Sequence, residues 1–250
     1  MIEICKNIIM KNAAIIVAGG LGHRMNSKLP KQFMTLGGKP VVQWSLECFN
    51  SVNTVEKIVL VLPNDWIEEG KKYIASFKPD KDFVIAAGGE LRQDSVRNGL
   101  KAVGEGFDFI AVHDAARPGI TPELAEKGFE MAEEKGNAIF AVPSYDTLAV
   151  VKDGIIIDNA DRNIIYRVQT PQIFNYKILL KALDMAKREN VVGTDEATLV
   201  RRLGEKVYII FGNEKMSKIT TSEDLEVAEF LFNKGCSNEK DSNCSGSCKN

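Results

Sequence analysis

Histidine is nearly absent from this chain: only His23 and His113 occur, which leaves little material for a histidine-rich metal centre or a Ser-His-Asp triad. No apolar run approaches the ~20 residues of a membrane span. The N-terminal MIEICKNIIMKN holds an acidic residue and no long apolar core of the signal-peptide kind, so the expectation is a cytoplasmic protein without membrane contact. A basic excess is missing too. With 32 Lys and Arg against 34 Asp and Glu, the formal charge of -2 gives no bulk attraction to nucleic acid or an anionic membrane, so any phosphate site must be local. Cysteine is sparse, with 5 residues in two groups. Cys5 and Cys48 are isolated, and Cys48 lies in an apolar helical pattern where a buried thiol is expected. Cys236, Cys244 and Cys248 fall in the polar CSNEKDSNCSGSCKN, whose spacing without histidine is poor for zinc; residues 236–250 read as a disordered tail.

What the chain does have is a glycine-rich break. The run AAIIVA from Ala13 has the length and β-branched content of a buried strand, and it ends in Gly19, Gly20 and Gly22 before a helix can begin. Such a turn points several N–H groups at one anion, and Arg24, Lys28 and Lys31 add fixed positive charge, so the loop reads as a polyphosphate cradle. Two familiar phosphate motifs fail. The dinucleotide fingerprint would need a third glycine where Met25 stands, and the P-loop would need Ser or Thr where Pro40 follows Gly38-Lys39.

The 250 residues, with 44% hydrophobic and 26% charged, fit a single domain over residues 1–235. In order, a helix follows Pro40, KIVLVL is a second strand, and Asn64 is placed to cap a helix from Asp65. FVIAA is a third strand, Gln93 to Val103 a helix, and FDFIAVHD a fourth strand. Thr121-Pro122 starts a helix that Gly136 stops, and AIFAVP is a fifth strand. This alternation predicts an α/β fold with a mostly parallel sheet covered by helices on both faces. Between Pro143 and Phe174 the rhythm changes: Asp153-Gly154 between two β-rich runs signals a hairpin, and a protruding β-arm is expected within residues 143–174. Helices are expected from Tyr176 to Glu189, capped by Asn175, and from Asp195 to Leu203, capped by Thr194. KVYIIFG reads as a final core strand, and Thr221 with Asp224 opens a last helix to about Phe232.

Ligands of open α/β sheets bind beyond the carboxyl ends of the strands. Those ends deliver Gly19 to Lys31, then Gly88, Gly89, Arg92 and Ser95, then Asp114 and Arg117, then Asp146 and Thr147, and lastly Lys218. One rim thus gathers glycines, cations and a carboxylate, the inventory of a nucleotide with bound magnesium (Mg2+) held by Asp114. The Gly88-Gly89 turn, with Ser95, suits a small base read by backbone polar groups.

VAGGLGHRM with LPKQF, GGELRQDSV, VHDAARP, YDT, ADR with QTPQ, TDEA and SKITTSEDL together resemble, in order, the 2-C-methyl-D-erythritol 4-phosphate cytidylyltransferases of the non-mevalonate isoprenoid pathway. The resemblance covers residues 13 to 232 and implies a Rossmann-like domain whose arm exchanges contacts in a homodimer. It implies transfer of CMP from CTP to 2-C-methyl-D-erythritol 4-phosphate, giving the CDP-linked alcohol and pyrophosphate, with magnesium. Nucleotide contacts would fall on Ala18, Gly19, Gly20, Gly22, Gly88, Gly89 and Ser95, and substrate contacts on Arg117, Thr147 and Thr170. Arg24, Lys31, Arg162 and Lys218 would stabilise the reacting phosphates, since an Arg fork and a Lys point charge both suit an in-line phosphoryl centre. Two alternatives stay open: a related enzyme acting on ribitol 5-phosphate, for which Val is expected in place of Ala116, and a catalytically silent nucleotide-binding protein.

Overall fold

Along β1 (Asn12–Val17) every residue is buried, and alternate side chains enter opposite layers, as the two-residue period of a strand requires. Ala13, Ile15 and Val17 join one apolar cluster, and Ala14 and Ile16 join the other. A strand buried on both faces belongs in the middle of a sandwich of helices, which explains its near-continuous apolar sequence. The computed structural model describes residues 10–19 and 29–241, and the Gly20, Gly22, Arg24 and Lys28 expectations and the end of the tail lie outside the described residues.

Seven strands form the main sheet in the order β11-β7-β10-β6-β1-β4-β5. They comprise β4 (Val55–Leu62), β5 (Asp82–Ala87), β6 (Phe109–Asp114), β7 (Asn137–Pro143), β10 (Tyr166–Asn175) and β11 (Ile209–Phe211) beside β1. All neighbours pair in parallel except β10, which runs antiparallel between β6 and β7. The short β2 (Thr35–Leu36) and β3 (Lys39–Pro40) pair only with each other. One face is covered by α1 (Val41–Ser51) and α4 (Pro122–Lys135), the other by α3 (Arg92–Val103), α5 (Tyr176–Arg188) and α6 (Glu196–Arg202). α2 (Ile67–Tyr73) follows β4, and α7 (Ser222–Asp241) closes the described chain. From β1 the chain crosses to β4 on one side, while β6 lies on the other. The crevice between β1 and β6 is therefore the switch point at which open sheets bind ligands.

Several boundaries follow the local chemistry. Thr121 Oγ1 accepts the Leu124 N–H at the start of α4, and Gly136 ends it with φ 89°, a left-handed conformation that favours glycine. Asp224 Oδ2 accepts the N–H groups of Thr220 and Thr221 to open α7. Other expectations are corrected. Asn64 makes no side-chain cap and instead opens a 3-10 turn (Asn64–Trp66) before α2. The cap of α6 is Asp195, whose Oδ1 accepts the Thr198 N–H at 2.8 Å, while Thr194 bonds the Thr198 hydroxyl. The KVYIIFG run is an edge strand of three residues, with Phe211 65% exposed, rather than a core strand. α7 extends past Phe232.

The arm is a separate two-stranded sheet of β8 (Ala149–Lys152) and β9 (Ile155–Asn159). Asp153 (φ 52°) and Gly154 (φ 78°) both take the left-handed conformation that a type I′ turn demands. All its strand residues are exposed, Ile155, Ile156 and Ile157 each at 60% or more. Among the described residues, no helix is long and apolar enough to cross a membrane.

Candidate active site

At the end of β1, Gly19 opens onto a cavity of about 340 Å³ that Gly89, Ser95, Asp114 and Lys218 also line. Close approach explains the glycines: a Cβ on Gly19 would lie 3.3 Å from Ser95 Oγ, and one on Gly89 would lie 2.3 Å from Asp94 Cβ. The Gly88-Gly89 turn is folded onto the first turn of α3. Ser95 braces that turn, its Oγ accepting the Gly89 N–H at 3.0 Å and donating to Leu91 O at 3.3 Å. Its hydroxyl is thus engaged locally while it faces the cavity. The 3-10 turn Lys31–Phe33 is clipped to the strand end by Gln32, whose Nε2 donates to the Ala18 carbonyl at 2.7 Å. The next residue upstream, Lys31, extends its Nζ to Ile219 O at 2.9 Å, beside Lys218.

Asp114, the last residue of β6, is where the charges converge. Its Oδ1 accepts from Arg92 Nε at 3.1 Å and its Oδ2 from Lys218 Nζ at 2.7 Å, with Arg117 Nε 3.8 Å away. Burial pushes the Asp114 carboxyl up, but Arg92, Lys218 and Arg117 outweigh it and hold it well below the usual carboxylate range. It is an anion at neutral pH. Behind it, Arg92 Nη1 donates to both oxygens of the buried Glu196, at 2.7 and 2.8 Å. Burial pushes Glu196 up against the pull of Arg92, and the permanent charge of the guanidinium makes the contact an ion pair.

A second cavity, of about 210 Å³, lies on the other side of this cluster, lined by Arg117, Thr170 and Gln172 together with Arg92, Asp114 and Lys218. The last three face both cavities and form their common wall. Arg117 Nη1 is tied to Met216 O at 2.9 Å, whereas its buried Nε has no hydrogen-bond partner. Thr170 Oγ1 accepts the Asp114 N–H at 3.0 Å and lies 3.1 Å from His113 Nδ1; His113 Nε2 lies 3.1 Å from Arg117 O. A carbonyl only accepts, so Nε2 carries the proton and Nδ1 takes the Thr170 hydroxyl hydrogen. Burial lowers His113 to about 4, which keeps it neutral in this chain of bonds.

The structure therefore brings together Ala18, Gly19, Lys31, Gly88, Gly89, Ser95, Asp114, Arg117, Thr170 and Lys218 of the expected residues. Thr147 and Arg162 are exposed on the arm segment, and neither lines either cavity of its own chain. Sequence reasoning missed Glu196 and the His113 relay, and gave Arg92 only a place on the rim. A larger depression of about 500 Å³ between α3 and α5, rimmed by Lys177, Lys181 and Arg188, is not at the strand ends.

Comparison with known proteins decides the family. Residues 12–234 match the family described as IspD: 2-C-methyl-D-erythritol 4-phosphate cytidylyltransferase. The chain belongs to the 2-C-methyl-D-erythritol 4-phosphate cytidylyltransferase family. Relatives with that name include one from Clostridium botulinum (strain Okra / Type B1), 39% identical over 225 residues, covering 90% of this chain and 98% of the relative. Another, from Endomicrobium trichonymphae, is 42% identical over 224 residues, covering 89% and 99%. Among solved structures, the 2-C-methyl-D-erythritol 4-phosphate cytidylyltransferase from Thermus thermophilus aligns with TM-score 0.72 at 30% identity, covering 89% of this chain and 98% of that one. The 4-diphosphocytidyl-2C-methyl-D-erythritolsynthase from Anaerococcus prevotii DSM 20548 aligns with TM-score 0.79 at 27% identity, covering 90% and 97%. Members of the 2-C-methyl-D-erythritol 4-phosphate cytidylyltransferase family thus match this chain over most of their length as well as its own.

Proposed function

We propose that this chain transfers CMP from CTP to 2-C-methyl-D-erythritol 4-phosphate, giving the CDP-linked alcohol and pyrophosphate in isoprenoid biosynthesis. The observation that carries the reading, in a chain of this family, is the pair of cavities meeting at Asp114, Arg92 and Lys218. A nucleotide in the larger cavity and a polyol phosphate in the smaller would meet at that wall, which is the arrangement a two-substrate phosphoryl transfer needs.

The reaction requires an oxygen of the substrate phosphate to attack the α-phosphorus of CTP as charge builds on that centre and on pyrophosphate. Cations fixed before the reaction supply most of the stabilisation, and no protein nucleophile is needed. In this reading the Gly19 and Gly88-Gly89 backbone cradles the nucleotide, with Lys31 and the Arg24 loop on its phosphates. Lys218 stands at the wall, where Asp114 restrains its ammonium at 2.7 Å. Arg117, whose buried Nε makes no hydrogen bond and lies 3.8 Å from Asp114, and Thr170 serve the polyol side.

Magnesium fits as a guest of one carboxylate. Among the described residues no group of three or more His, Cys, Asp or Glu side chains is placed to hold a metal. Magnesium bound chiefly by substrate phosphates and water needs only one or two carboxylates. Asp114, anionic and at the wall, suits that part, sharing its oxygens with Arg92 and Lys218. When bound, the ion would offset charge on the triphosphate.

We further propose that the active form is a homodimer in which the arm brings Thr147 and Arg162 to the neighbour's polyol cavity. An isolated hairpin is marginal in water, and this one leaves its isoleucines uncovered by its own chain. A cytoplasmic setting follows from the nucleoside triphosphate it consumes. Pyrophosphate release from CTP, with methylerythritol 4-phosphate and ribitol 5-phosphate supplied separately, tests the reading. Turnover with the first alone is expected. Equal turnover with ribitol 5-phosphate, or none with either, would refute it.

A further inference from the structure

The TDEA motif has no part in the reaction as drawn above, yet its glutamate stands directly behind the site. Glu196 is 0% exposed and lines neither cavity. Both its oxygens accept from Arg92 Nη1, and Arg92 Nε reaches Asp114 Oδ1 at 3.1 Å. A carboxylate outside both cavities is therefore one contact away from a guanidinium that faces both.

The surroundings hold this pair from two sides. Gln172 of β10 grips the start of α6, its Nε2 donating to Asp195 Oδ2 at 2.8 Å and its Oε1 accepting the Ala197 N–H at 3.0 Å. Gln93, the neighbour of Arg92, donates to Val191 O and accepts the Gly193 N–H, each at 3.0 Å. The first turn of α3, the segment before α6 and β10 are thereby tied together around the guanidinium.

We propose that the Glu196–Arg92 pair is a positioning unit for the transfer, in which Glu196 fixes the guanidinium plane so that Arg92 holds the Asp114 carboxylate in the wall between the two cavities. This rests on the reaction assigned above. Stability alone is a poor reason for such a pair, because apolar side chains of similar volume often serve as well or better. What they cannot do is hold a guanidinium between two carboxylates, with Nη1 on Glu196 and Nε on Asp114. Glu196 and Arg92 are positioning residues, and their effect falls on the alignment of reacting groups, where a displacement of about 1 Å costs on the order of a hundredfold in rate.

Two variants test this. Glu196→Gln keeps the volume and removes the charge; kcat for pyrophosphate release should fall about tenfold or more while KM for CTP stays within about threefold. The double variant Arg92→Met/Glu196→Met leaves no unpaired buried charge and should fold, with a kcat loss at least as large. Calorimetric titration of CTP in magnesium buffer gives the second readout, and near-wild-type affinity beside slow turnover is the expected result. Wild-type kcat in either folded variant overturns the proposal, because a pair that only supports the fold leaves the folded enzyme's turnover alone. A matching loss of CTP affinity in Glu196→Gln, which keeps the Arg92 cation in the wall of the nucleotide cavity, also overturns it, since Glu196 would then be supporting nucleotide binding. If Glu196→Gln does not fold, the double variant decides; if that fails to fold too, the pair is structural and the proposal is wrong. A wild-type protein that releases no pyrophosphate refutes the assigned reaction, and this inference with it, an outcome recognisable because the unaltered chain is itself inactive.

Discussion

Replacing Asp114 by asparagine removes one negative charge from a point where three cations converge and leaves the shape of the side chain almost unchanged. The Asp114 backbone N–H keeps its bond to Thr170 Oγ1, so strand β6 is not disturbed. What changes is the balance of charge. Breaking a buried pair by removing one partner costs about 3–5 kcal/mol when the remaining charge is left without compensation. Arg92 retains Glu196, Arg117 keeps its bond to Met216 O and was 3.8 Å from Asp114, and the Lys218 side chain is 37% exposed and reaches water, so the cost belongs below that range, at about 2 kcal/mol. For a domain of this size that corresponds to a fall in melting temperature of roughly 4–8 °C. Turnover should suffer more, because Lys218 and Arg92 lose the anion that restrains them at the wall; a drop of about a hundredfold or more is expected. Differential scanning calorimetry gives the first quantity and pyrophosphate release the second. A variant as stable and as active as the wild type would show that these cations are satisfied by solvent and that Asp114 organises nothing.

Lys31→Ala and Arg24→Ala should each lower turnover by roughly two orders of magnitude or more with the fold intact, as loss of a preorganised charge does, measured by pyrophosphate release beside a melting curve; near-normal rates in both would sink the phosphate-cradle reading. Mixing inactive Lys31→Ala subunits with inactive Arg162→Ala subunits should restore part of the activity, because a mixed dimer rebuilds one site from both chains; exchange of subunits without activity would mean that each site is built from a single chain. His113 has an unfolded value near 6.5 and a folded value of about 4, so between these the unfolded chain binds more protons and stability is lost as the pH falls. The full loss is about 3 kcal/mol by pH 4. Denaturant titrations from pH 7 to 4 should show His113→Gln without that part of the slope, and parallel slopes in both proteins would refute the buried neutral imidazole.

Much of the fold is legible because it depends on near neighbours in sequence. Buried parallel strands announce themselves as apolar runs, and Thr121, Pro122 and Gly136 mark the ends of α4 by chemistry that works within a few residues. β10 is harder to read. A proline inside a run argues against a central strand, yet β10 lies between β6 and β7, and Pro171 fits because it falls in the register shift between Val168 and Gln172. At α6, Thr194 and Asp195 are adjacent and both are good caps, so pattern alone does not choose between them. The glycines, Lys31 and Lys218 are readable because they come after strands, and Asp114 because it ends one. Glu196 and Arg92 are 104 residues apart, and no periodicity records that a buried carboxylate will meet a particular guanidinium. His113 looks like one more strand residue until Thr170, 57 residues on, is placed beside its ring.

The shared wall between the cavities also bears on how ligands occupying them affect one another. Because Arg92, Asp114 and Lys218 face both spaces, a ligand in one meets charges that a ligand in the other also meets, so the two are coupled electrostatically. By linkage, the factor by which a nucleotide analogue changes the affinity of a polyol phosphate analogue equals the factor in the reverse direction. Two weak fragments joined by a short anionic linker crossing that wall would turn the second binding event into an intramolecular one, gaining effective concentration without any new contact.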